Sequence, residues 1–394
     1  MANMVIVFMQ VKPDFACAAG GAESWESASS NESLIGACPL DGESSCDFVY
    51  NPIEMRRTIV TDWDMVCGRE WESATAQMIH MLGILAGSAA VGPAADKLGR
   101  RYVLFGFLLF QCLFTLGQAL APYYLLFLVL RFLSALFMTG AWMTPFSYLG
   151  EMTTGRYRTV VTGLFFVPYA LGYALLSPLA YFSQDWRVML LVIGGLLVPV
   201  LPFFFWFLES PRWLLARGRL EDAADLLANK IVPRNGRSLP PGIDLQHILS
   251  RIAKEDGNGE VVEESMLTLL RYPRLICRCL LLILLWFVNN IVYYGVSLNI
   301  SAFSGNLFIN NTVFALVEIP SYLLGTVLLR IGRKASQALL LLVAGVSLLT
   351  VAWLEPGPAA LGLAILGKLA ITASFAAIYV FTGELYPTLI RNSG

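Results

Sequence analysis

The chain has 394 residues, of which 57% are hydrophobic and only 14% are charged, and its formal net charge is -1. Together with a mean hydropathy of +0.64, this excludes an ordinary soluble domain, in which about 25% of residues are charged.

Long apolar runs predict an integral membrane protein, because a helix needs roughly 20 apolar residues to cross the hydrocarbon core. The apolar residues 1–11 are too short to span and lack the basic flank of a signal peptide, so we interpret them as a remnant of helix 1. Nine complete spans follow as helices 2 to 10, near residues 74–95, 102–120, 123–149, 160–180, 188–208, 276–297, 313–329, 337–354 and 359–381.

These spans divide the chain into two bundles. Residues 12–72 form a loop, 73–208 a first bundle with helices 2–6, 209–274 a linker, and 275–394 a second bundle with helices 7–10. The basic residues of the short loops fall on one side of the membrane, which the positive-inside rule makes cytoplasmic. The linker is then cytoplasmic and the loop extracellular. Within the linker, Leu220 to Ala228 predicts an amphipathic surface helix.

The loop of residues 12–72 contains four of the seven cysteines, Cys17, Cys38, Cys46 and Cys67. In an oxidising compartment four cysteines favour two disulfides, and three pairings are possible. Asn31 begins a glycosylation sequon in the same loop. Twelve acidic residues against four basic ones make the loop negative. This charge favours either local enrichment of cations or simply a solvated, glycosylated cap.

A repeat at an interval of 233 residues relates the two bundles. Its landmarks are Gly99 with Gly332, Arg100 with Arg333, Glu151 with Glu384 and Arg158 with Arg391. Four residue pairs at one spacing indicate a duplicated membrane unit, which is typical of secondary transporters.

The second copy of the repeat stops early. In the first copy two helices follow the Glu151 to Arg158 landmark, whereas the chain ends at Gly394 directly after the second. We therefore expect a truncated duplication, with a partial helix 1, helices 2–10 present and helices 11 and 12 absent. Expression of residues 1–394 alone is expected to give no saturable transport.

Several strings carry a family resemblance over nearly the whole chain. Asp96-Lys97-Leu98-Gly99-Arg100-Arg101 resembles the signature after helix 2 of the major facilitator superfamily. Its organic ion transporter family, which includes organic cation, carnitine and organic anion carriers, is similar in further strings. These are TDWDMVC at 61–67, ESPRWL at 209–214, YYG at 293–295, ELYPT at 384–388 and Arg391-Asn392. The resemblance implies a fold of two six-helix bundles.

The charged residues of these strings are predicted to gate the carrier. Gly99 permits a tight turn, and opposite charges beside it would lie where helices from the two halves meet and part. Alternatively, the basic residues only snorkel and set topology. The predicted gating residues are Asp96, Gly99, Arg100, Arg101, Glu151, Arg158, Glu209, Arg212, Gly332, Arg333, Glu384 and Arg391. Glu151 is expected to pair with Arg156 or Arg158. Because Leu329 replaces the acid in the second copy, that gate is asymmetric.

Four ionisable residues fall inside the predicted spans, where charge is costly and usually functional. Glu318 precedes a helix-bending proline, and we interpret it as a site for a cation or proton, with a structural ion pair as the alternative. For Arg131 and Lys368, a structural role between helices is the favoured interpretation. His80 is a candidate because an unperturbed histidine changes charge close to neutral pH, yet a helix-packing histidine is the favoured interpretation.

Aromatic side chains are expected to line the site, because ring faces attract desolvated cations by about 0.5 to 2 kcal/mol each. Many of them could instead face lipid. The candidates are Phe165, Phe166, Tyr169, Tyr173, Trp286, Tyr293, Tyr294, Phe375 and Tyr379.

The resemblance also bears on whether the substrate is a cation or an anion. Anion carriers of the family typically have a lysine in helix 8 at the position of Tyr322, so the resemblance favours cations or zwitterions. The family's strongest discriminator, a charged residue in helix 11, is not in the chain.

We therefore expect a plasma-membrane carrier of small organic cations or carnitine-like zwitterions that works by alternating access. The alternatives are an organic anion exchanger, a sugar porter, a non-transporting binding protein or an inactive truncated protein. The sequence has no phosphate loop, metal-ligand cluster or nucleophile with a base, so we expect no enzyme activity, cofactor or metal. The expected partners are an organic ion and the lipid bilayer, without nucleic acid; coupling to sodium or protons stays undecided.

Overall fold

The computed structural model of the chain is almost entirely helical in the parts that it describes. Those parts are residues 3–18, 47–52, 55–153, 164–234, 244–257, 273–328 and 332–385, with Trp25, Ile35, Gly36, Cys38, Val161 and Gly236 as single positions.

Eight α-helices lie in the first half of the chain. They are α1 (Ile6–Met9), α2 (Ile59–Asp62), α3 (Glu70–Leu98), α4 (Arg100–Ala119), α5 (Tyr124–Met152), α6 (Val167–Ala174), α7 (Leu176–Ser183) and α8 (Trp186–Gly195). Two 3-10 helices, Cys67–Arg69 and Val198–Phe205, extend α3 and α8.

The linker and the second half contribute eight more. They are α9 (Pro211–Ala216), α10 (Leu220–Asp225), α11 (Val232–Arg234), α12 (Leu245–Gly257), α13 (Pro273–Leu298), α14 (Leu307–Leu328), α15 (Arg333–Trp353) and α16 (Pro358–Leu385). A π-helical turn, Leu226–Ile231, follows α10, and a 3-10 turn, Ile300–Ala302, follows α13.

Within the described residues, eight helices are long and apolar enough to cross a membrane, which confirms the all-α membrane fold class. The span predicted at 160–180 is not one of them; in its described part it consists of α6 and α7 with a break at Leu175. Pro178 has no N–H to donate to the carbonyl of Ala174, so the hydrogen-bond ladder is interrupted there. Because residues 160, 162 and 163 lie outside the described residues, the ninth complete span stays a prediction.

The predicted linker helix also differs from expectation. The α-helix over Leu220–Asp225 gives way to the π-helical turn rather than continuing to Ala228. Its apolar side is nevertheless buried, since Ala223 and Leu226 pack with Leu214 and Leu249 in a small separate core. The linker is therefore folded onto itself in its described part.

The loop before α3 contains a small sheet that the sequence did not predict. Strands β1 (Phe15–Ala18) and β2 (Asp47–Tyr50) pair antiparallel, with Phe15 opposite Tyr50 and Ala18 opposite Asp47. Cys38 forms a disulfide with Cys67, and Cys17 is also disulfide-bonded. Cys46 and Asn31 lie outside the described residues.

One carboxylate, that of Asp62, joins this loop to the membrane helices. It accepts hydrogen bonds from Arg57 Nε at 2.6 Å, Trp186 Nε1 at 3.1 Å and Arg187 Nε at 3.2 Å. The hydrogen bond to Asp62 raises the pKa of the Arg57 guanidinium above its usual value. Arg187 also donates to two backbone carbonyls at the end of α4. Asp62 thus ties the loop to α4 and α8.

The two halves of the chain meet near one end of the bundle. We call the end where residues 12–72 lie the loop side, and the end where Gly99 lies the turn side. On the loop side, the rings of Phe8 and Tyr181 pack on Phe308 with centroids 5.7 and 5.5 Å apart. Asn311 Nδ2 donates to Ser177 Oγ at 2.8 Å. The first-half helices α1 and α7 therefore contact α14 there.

We expect Asp62→Asn to lower the free energy of unfolding by about 1–3 kcal/mol, because three donors lose a charged acceptor. Half-exposed Arg57 contributes the smaller share, since solvent screens it. The measurement is the thermal midpoint of the purified protein in detergent. Asp64→Asn is the matched control, because Asp64 accepts from Tyr50 at the exposed surface; equal midpoints for the two variants would contradict the prediction.

Candidate functional site

The turn between α3 and α4 is organised around the guanidinium of Arg100, which is buried. Its Nη2 donates to Glu151 Oε1 at 2.8 Å and its Nη1 to Asp96 Oδ1 at 3.0 Å. Nη1 also donates to the carbonyl of Ala95 at 2.9 Å. The partner of Glu151 is therefore Arg100, whereas Arg156 and Arg158 of the predicted pairing lie outside the described residues.

Glu209 caps the first turn of α4. Its Oε1 accepts from the backbone N–H of Arg100 at 2.9 Å, and its Oε2 from that of Arg101 at 3.2 Å. A carboxylate at a helix N-terminus satisfies orphan donors and complements the helix dipole. The cap is close because Gly99 has a φ of 96° and no side chain; a Cβ there would lie 2.5 Å from Glu209 Oε2.

The other predicted gating residues of the first half extend the same contact. Trp213 Nε1 donates to the carbonyl of Asp96 at 2.7 Å. The guanidinium of Arg101 donates to the carbonyl of Phe204 at 3.0 Å and lies 4.2 Å from that ring. Arg212 lies exposed on α9. Together these contacts join α3, α4, α5 and α9.

The second copy of the motif is only partly described. Gly332 has a φ of 156° and directly precedes α15, as Gly99 precedes α4, so in both copies a glycine with a positive φ stands immediately before a helix. Arg333 is the first residue of α15, and Glu384 lies near the end of α16. Arg391 and the side chain of Glu384 lie outside the described parts. For the residues of the first copy, every partner described above belongs to the first half or to the start of the linker.

In the second half, Glu318 on α14 forms a buried ion pair with Lys368 on α16. The distance from Nζ to Oε1 is 2.8 Å, and both side chains are fully buried. The sequence analysis gave a structural ion pair as the alternative interpretation of Glu318, and Lys368 is the basic partner in that pair. A charge pair in the membrane interior is retained only when its members compensate one another.

Hydroxyl groups complete the coordination of this pair. Tyr293 donates to Glu318 Oε1 at 2.6 Å, and Tyr322 donates to Oε2 at 3.0 Å. Lys368 donates to Ser297 Oγ at 2.6 Å, and its Nζ lies 3.5 Å from the centroid of the Tyr293 ring. The ammonium of Lys368 thus occupies a cage made of a carboxylate, a hydroxyl and an aromatic face.

Half-buried aromatic rings from both halves surround this cage. Phe166 of the first half packs on Tyr322 at 5.3 Å and on Tyr379 at 5.2 Å between centroids. Trp286 packs on Tyr379 at 4.7 Å. We call the set the aromatic cluster; it comprises Trp142, Phe146, Phe165, Phe166, Tyr169, Trp286, Tyr293, Tyr322, Phe375 and Tyr379.

The sequence identified most, but not all, of this cluster. Trp142 and Phe146 on α5 were missed, although their spacing of four residues places them on one helical face. Tyr322 was considered only as the position of a lysine in anion carriers. Tyr173 is buried, and its ring centroid lies 5.8 Å from Lys368 Nζ. Tyr294 lies beside the cluster and accepts a hydrogen bond from Asn3 Nδ2 at 2.8 Å.

The remaining ionisable residues of the spans lie in the first half. Arg131 on α5 is buried, and its Nη1 lies 3.9 Å from Met9 Sδ. His80 Nε2 lies 3.1 Å from Asn3 Oδ1. In the described part of the chain, no group of three His, Cys, Asp or Glu residues could hold a metal ion. The site is therefore one of buried charges, hydroxyls and rings.

Comparisons with known proteins agree with this architecture. The family model described as sugar (and other) transporter matches residues 66–394. The organic cation transporter protein of Drosophila melanogaster is 33% identical over an alignment of 376 residues, which covers 92% of this chain and 68% of that protein. The organic cation/carnitine transporter 2 of Homo sapiens is 33% identical over 369 residues, 90% of this chain and 63% of that protein.

The fold is that of solved transporters as well. The inward open conformation of the xylose transporter XylE from E. coli superposes with a TM-score of 0.63, over 82% of this chain and 75% of that one, at 16% identity. These findings define a membrane transporter with the major facilitator fold. The chain belongs to the organic ion transporters of solute carrier family 22 within that superfamily.

We expect Gly99→Ala to destabilise the first half by at least about 1–2 kcal/mol, the strain of a left-handed backbone for a residue with a Cβ. Displacement of the Glu209 carboxylate adds to that loss. The thermal midpoint in detergent measures it. Gly106→Ala is the control on the same helix, because a Cβ there meets no atom within 4 Å. A midpoint as high for Gly99→Ala as for Gly106→Ala would contradict the role assigned to the turn.

The buried pair generates a second prediction. Glu318→Gln and Lys368→Met are each expected to cost about 3–5 kcal/mol, because each leaves one charge uncompensated in the membrane interior. The double variant should be more stable than either single variant, which thermal midpoints would reveal as strong coupling. Exposed Glu355→Gln serves as the control. Additive losses for the two substitutions would show that the groups act independently.

Proposed function

We propose that this transporter carries small organic cations or zwitterions across the membrane by alternating access. The observation that carries the proposal is the Lys368 ammonium, held 2.8 Å from Glu318 and 3.5 Å from the centre of the Tyr293 ring. These groups are the ones that stabilise a dehydrated ammonium. Lys368 itself fills this cage, and the aromatic rings that surround it offer a substrate ammonium the same chemistry.

The aromatic cluster supports the cationic part of this proposal. Tyr293 and Tyr322 are buried and its other rings are half-buried, and rings from both halves meet at Phe166 and Tyr379. Each desolvated ring face contributes about 0.5–2 kcal/mol to cation binding. A substrate seated among these rings would contact both halves, so its binding would favour the state in which they are closed around it.

The distribution of contacts between the halves supports alternating access. On the loop side, Phe8 and Tyr181 pack on Phe308 across the halves. On the turn side, the described partners of Arg100 and Glu209 belong to the first half and to the start of the linker, and none belongs to the second half. This asymmetry fits a carrier that is closed on one side and free to part on the other, as rocking-bundle transport requires.

The orientation of the protein in the membrane is inferred from the distribution of its basic residues. The positive-inside rule places the turn side, with Lys97, Arg100 and Arg101, in the cytoplasm. The disulfide between Cys38 and Cys67 suits an extracellular loop, because disulfides persist in oxidising compartments. We therefore propose the plasma membrane as the location, with the loop outside.

An organic anion exchanger is the second candidate, and Arg131 favours it. Glu318 and Lys368 neutralise each other, so Arg131 leaves the described buried charges with a net positive sign. Tyr322, which stands where anion carriers of the family have a lysine, favours the first candidate. The relatives' names include cation and carnitine transporters, and this too supports cations or zwitterions.

Uptake of three labelled probes by the full-length protein tests the proposal. We expect saturable uptake of tetraethylammonium or carnitine and little uptake of p-aminohippurate. Saturable uptake of p-aminohippurate alone would replace the cation proposal by the anion exchanger. No uptake of any probe by protein present at the cell surface would favour a non-transporting membrane protein.

Substitution of one ring tests the cation cage. Tyr379→Leu should raise the KM for tetraethylammonium about 2- to 30-fold, the equivalent of one lost cation–π contact of about 0.5–2 kcal/mol. Tyr379→Phe keeps the ring and should change KM much less. If both variants raise KM to the same extent, the hydroxyl rather than the ring face contributes to binding at this position.

A further inference from the structure

Arg131 is a buried cation whose charge is not compensated by the described protein. It lies on α5 with 1% of its surface exposed. Nη1 contacts the thioether of Met9 at 3.9 Å, and neither Nε nor Nη2 has a hydrogen-bond partner. A guanidinium carries five N–H donors in a planar fork, so most of its donors are unsatisfied.

The acidic side chains described near the membrane helices are engaged elsewhere. Glu318 pairs with Lys368, and Glu151 pairs with Arg100. Glu72 pairs with Arg69 near the start of α3. Since an unpaired charge is costly in the membrane interior, the position of Arg131 calls for an anion from another source.

Further unsatisfied polar atoms lie on α3, the helix that packs closely on α5. A Cβ at Gly83 would lie 2.5 Å from the carbonyl of Phe132, so the face of α3 that carries Gln77, His80 and Gly83 adjoins the Arg131 region. His80 Nδ1 and both amide atoms of Gln77 are buried without partners. Orphaned donors and acceptors beside an orphaned cation are a pattern expected of a polar subsite without its ligand.

This group adjoins the contact between the two halves. Asn3 Oδ1 accepts a hydrogen bond from His80 Nε2 at 3.1 Å, and Asn3 Nδ2 donates to the hydroxyl of Tyr294 at 2.8 Å. Tyr294 follows Tyr293, whose ring lies under the Lys368 ammonium. Asn3 therefore links the surroundings of Arg131 in the first half to the cage in the second.

We infer that Arg131 binds the carboxylate of the transported substrate, which makes the preferred substrate a zwitterion with an ammonium and a carboxylate group. The inference rests on the proposed function, because the ammonium of the substrate is assigned to the aromatic cluster. The planar guanidinium fork matches a carboxylate with two parallel N–H···O bonds. Met9 covers the guanidinium in the present arrangement, and the carboxylate takes its place when substrate binds.

The test compares a zwitterion with a cation that has no carboxylate. In the full-length protein, Arg131→Gln should lower the kcat/KM for carnitine at least about tenfold, as expected when a hydrogen-bonded charge pair loses one partner, and change that for tetraethylammonium less than about twofold. Arg131→Lys keeps the charge without the fork and should fall between Arg131→Gln and the unsubstituted protein. Arg219→Gln is the control, because this exposed arginine pairs with Asp222 outside the membrane helices.

Stability measurements separate a binding role from a structural one. An uncompensated charge contributes no ion pair to the fold, so Arg131→Gln should keep the thermal midpoint of the ligand-free protein. It should abolish the rise in midpoint that carnitine produces by binding the folded state. A ligand-free midpoint that falls in both Arg131 variants, or equal losses of carnitine and tetraethylammonium transport, would overturn the inference in favour of a structural arginine.

Two further outcomes complete the test. Stabilisation by sodium chloride equal to that by carnitine, and lost in Arg131→Gln, would assign the site to an inorganic anion and overturn the carboxylate assignment. If the unsubstituted protein transports no probe, the proposed function fails. The inference is then tested only by whether carnitine raises the thermal midpoint, so failure of the proposed function and failure of the inference are distinguishable.

Discussion

The ion pair of Glu318 with Lys368 is the interaction around which the second half is organised. Neither charge could stay alone in a medium without water, and each attracts further polar groups that must also be satisfied. Through Tyr293 and Ser297 the pair joins α13 to α14 and α16. The same requirement places an aromatic face under the ammonium, so the constraint that stabilises the fold also produces a cation cage.

The buried charges of the first half are balanced differently from those of the second half, and this difference bears on ligand recognition. Its deeply buried Arg131 has no described acid beside it, whereas Lys368 has Glu318. A ligand whose ammonium prefers one half and whose carboxylate prefers the other would hold the halves together more strongly than either group alone. Selectivity for such a ligand would then be a property of the closed state rather than of one helix.

Much of this architecture could be predicted from the sequence because its causes are local. Long apolar runs define the spans, and the cost of burying charge identified Glu318. The partner of Glu318 could not be chosen, since the approach of α14 to α16 depends on tertiary packing; Lys368 was assigned only a general interhelical role. Trp142 was missed because, in sequence, a ring that faces lipid cannot be told from one that lines a site. Pro178 carried a usable signal for the broken helix.

The hydrogen bonds of Arg100 and Glu209 connect three helices of the first half, α3, α4 and α5, with the start of the linker. Contacts within a single rigid body are kept when that body tilts, so they contribute the same free energy to an inward-facing and an outward-facing carrier. Such contacts cannot by themselves favour one direction of opening. Their consequence is mechanical: in a carrier that rocks as proposed above, they would keep the first half rigid, so that a small rotation near the bundle centre would become a larger displacement at the turn side.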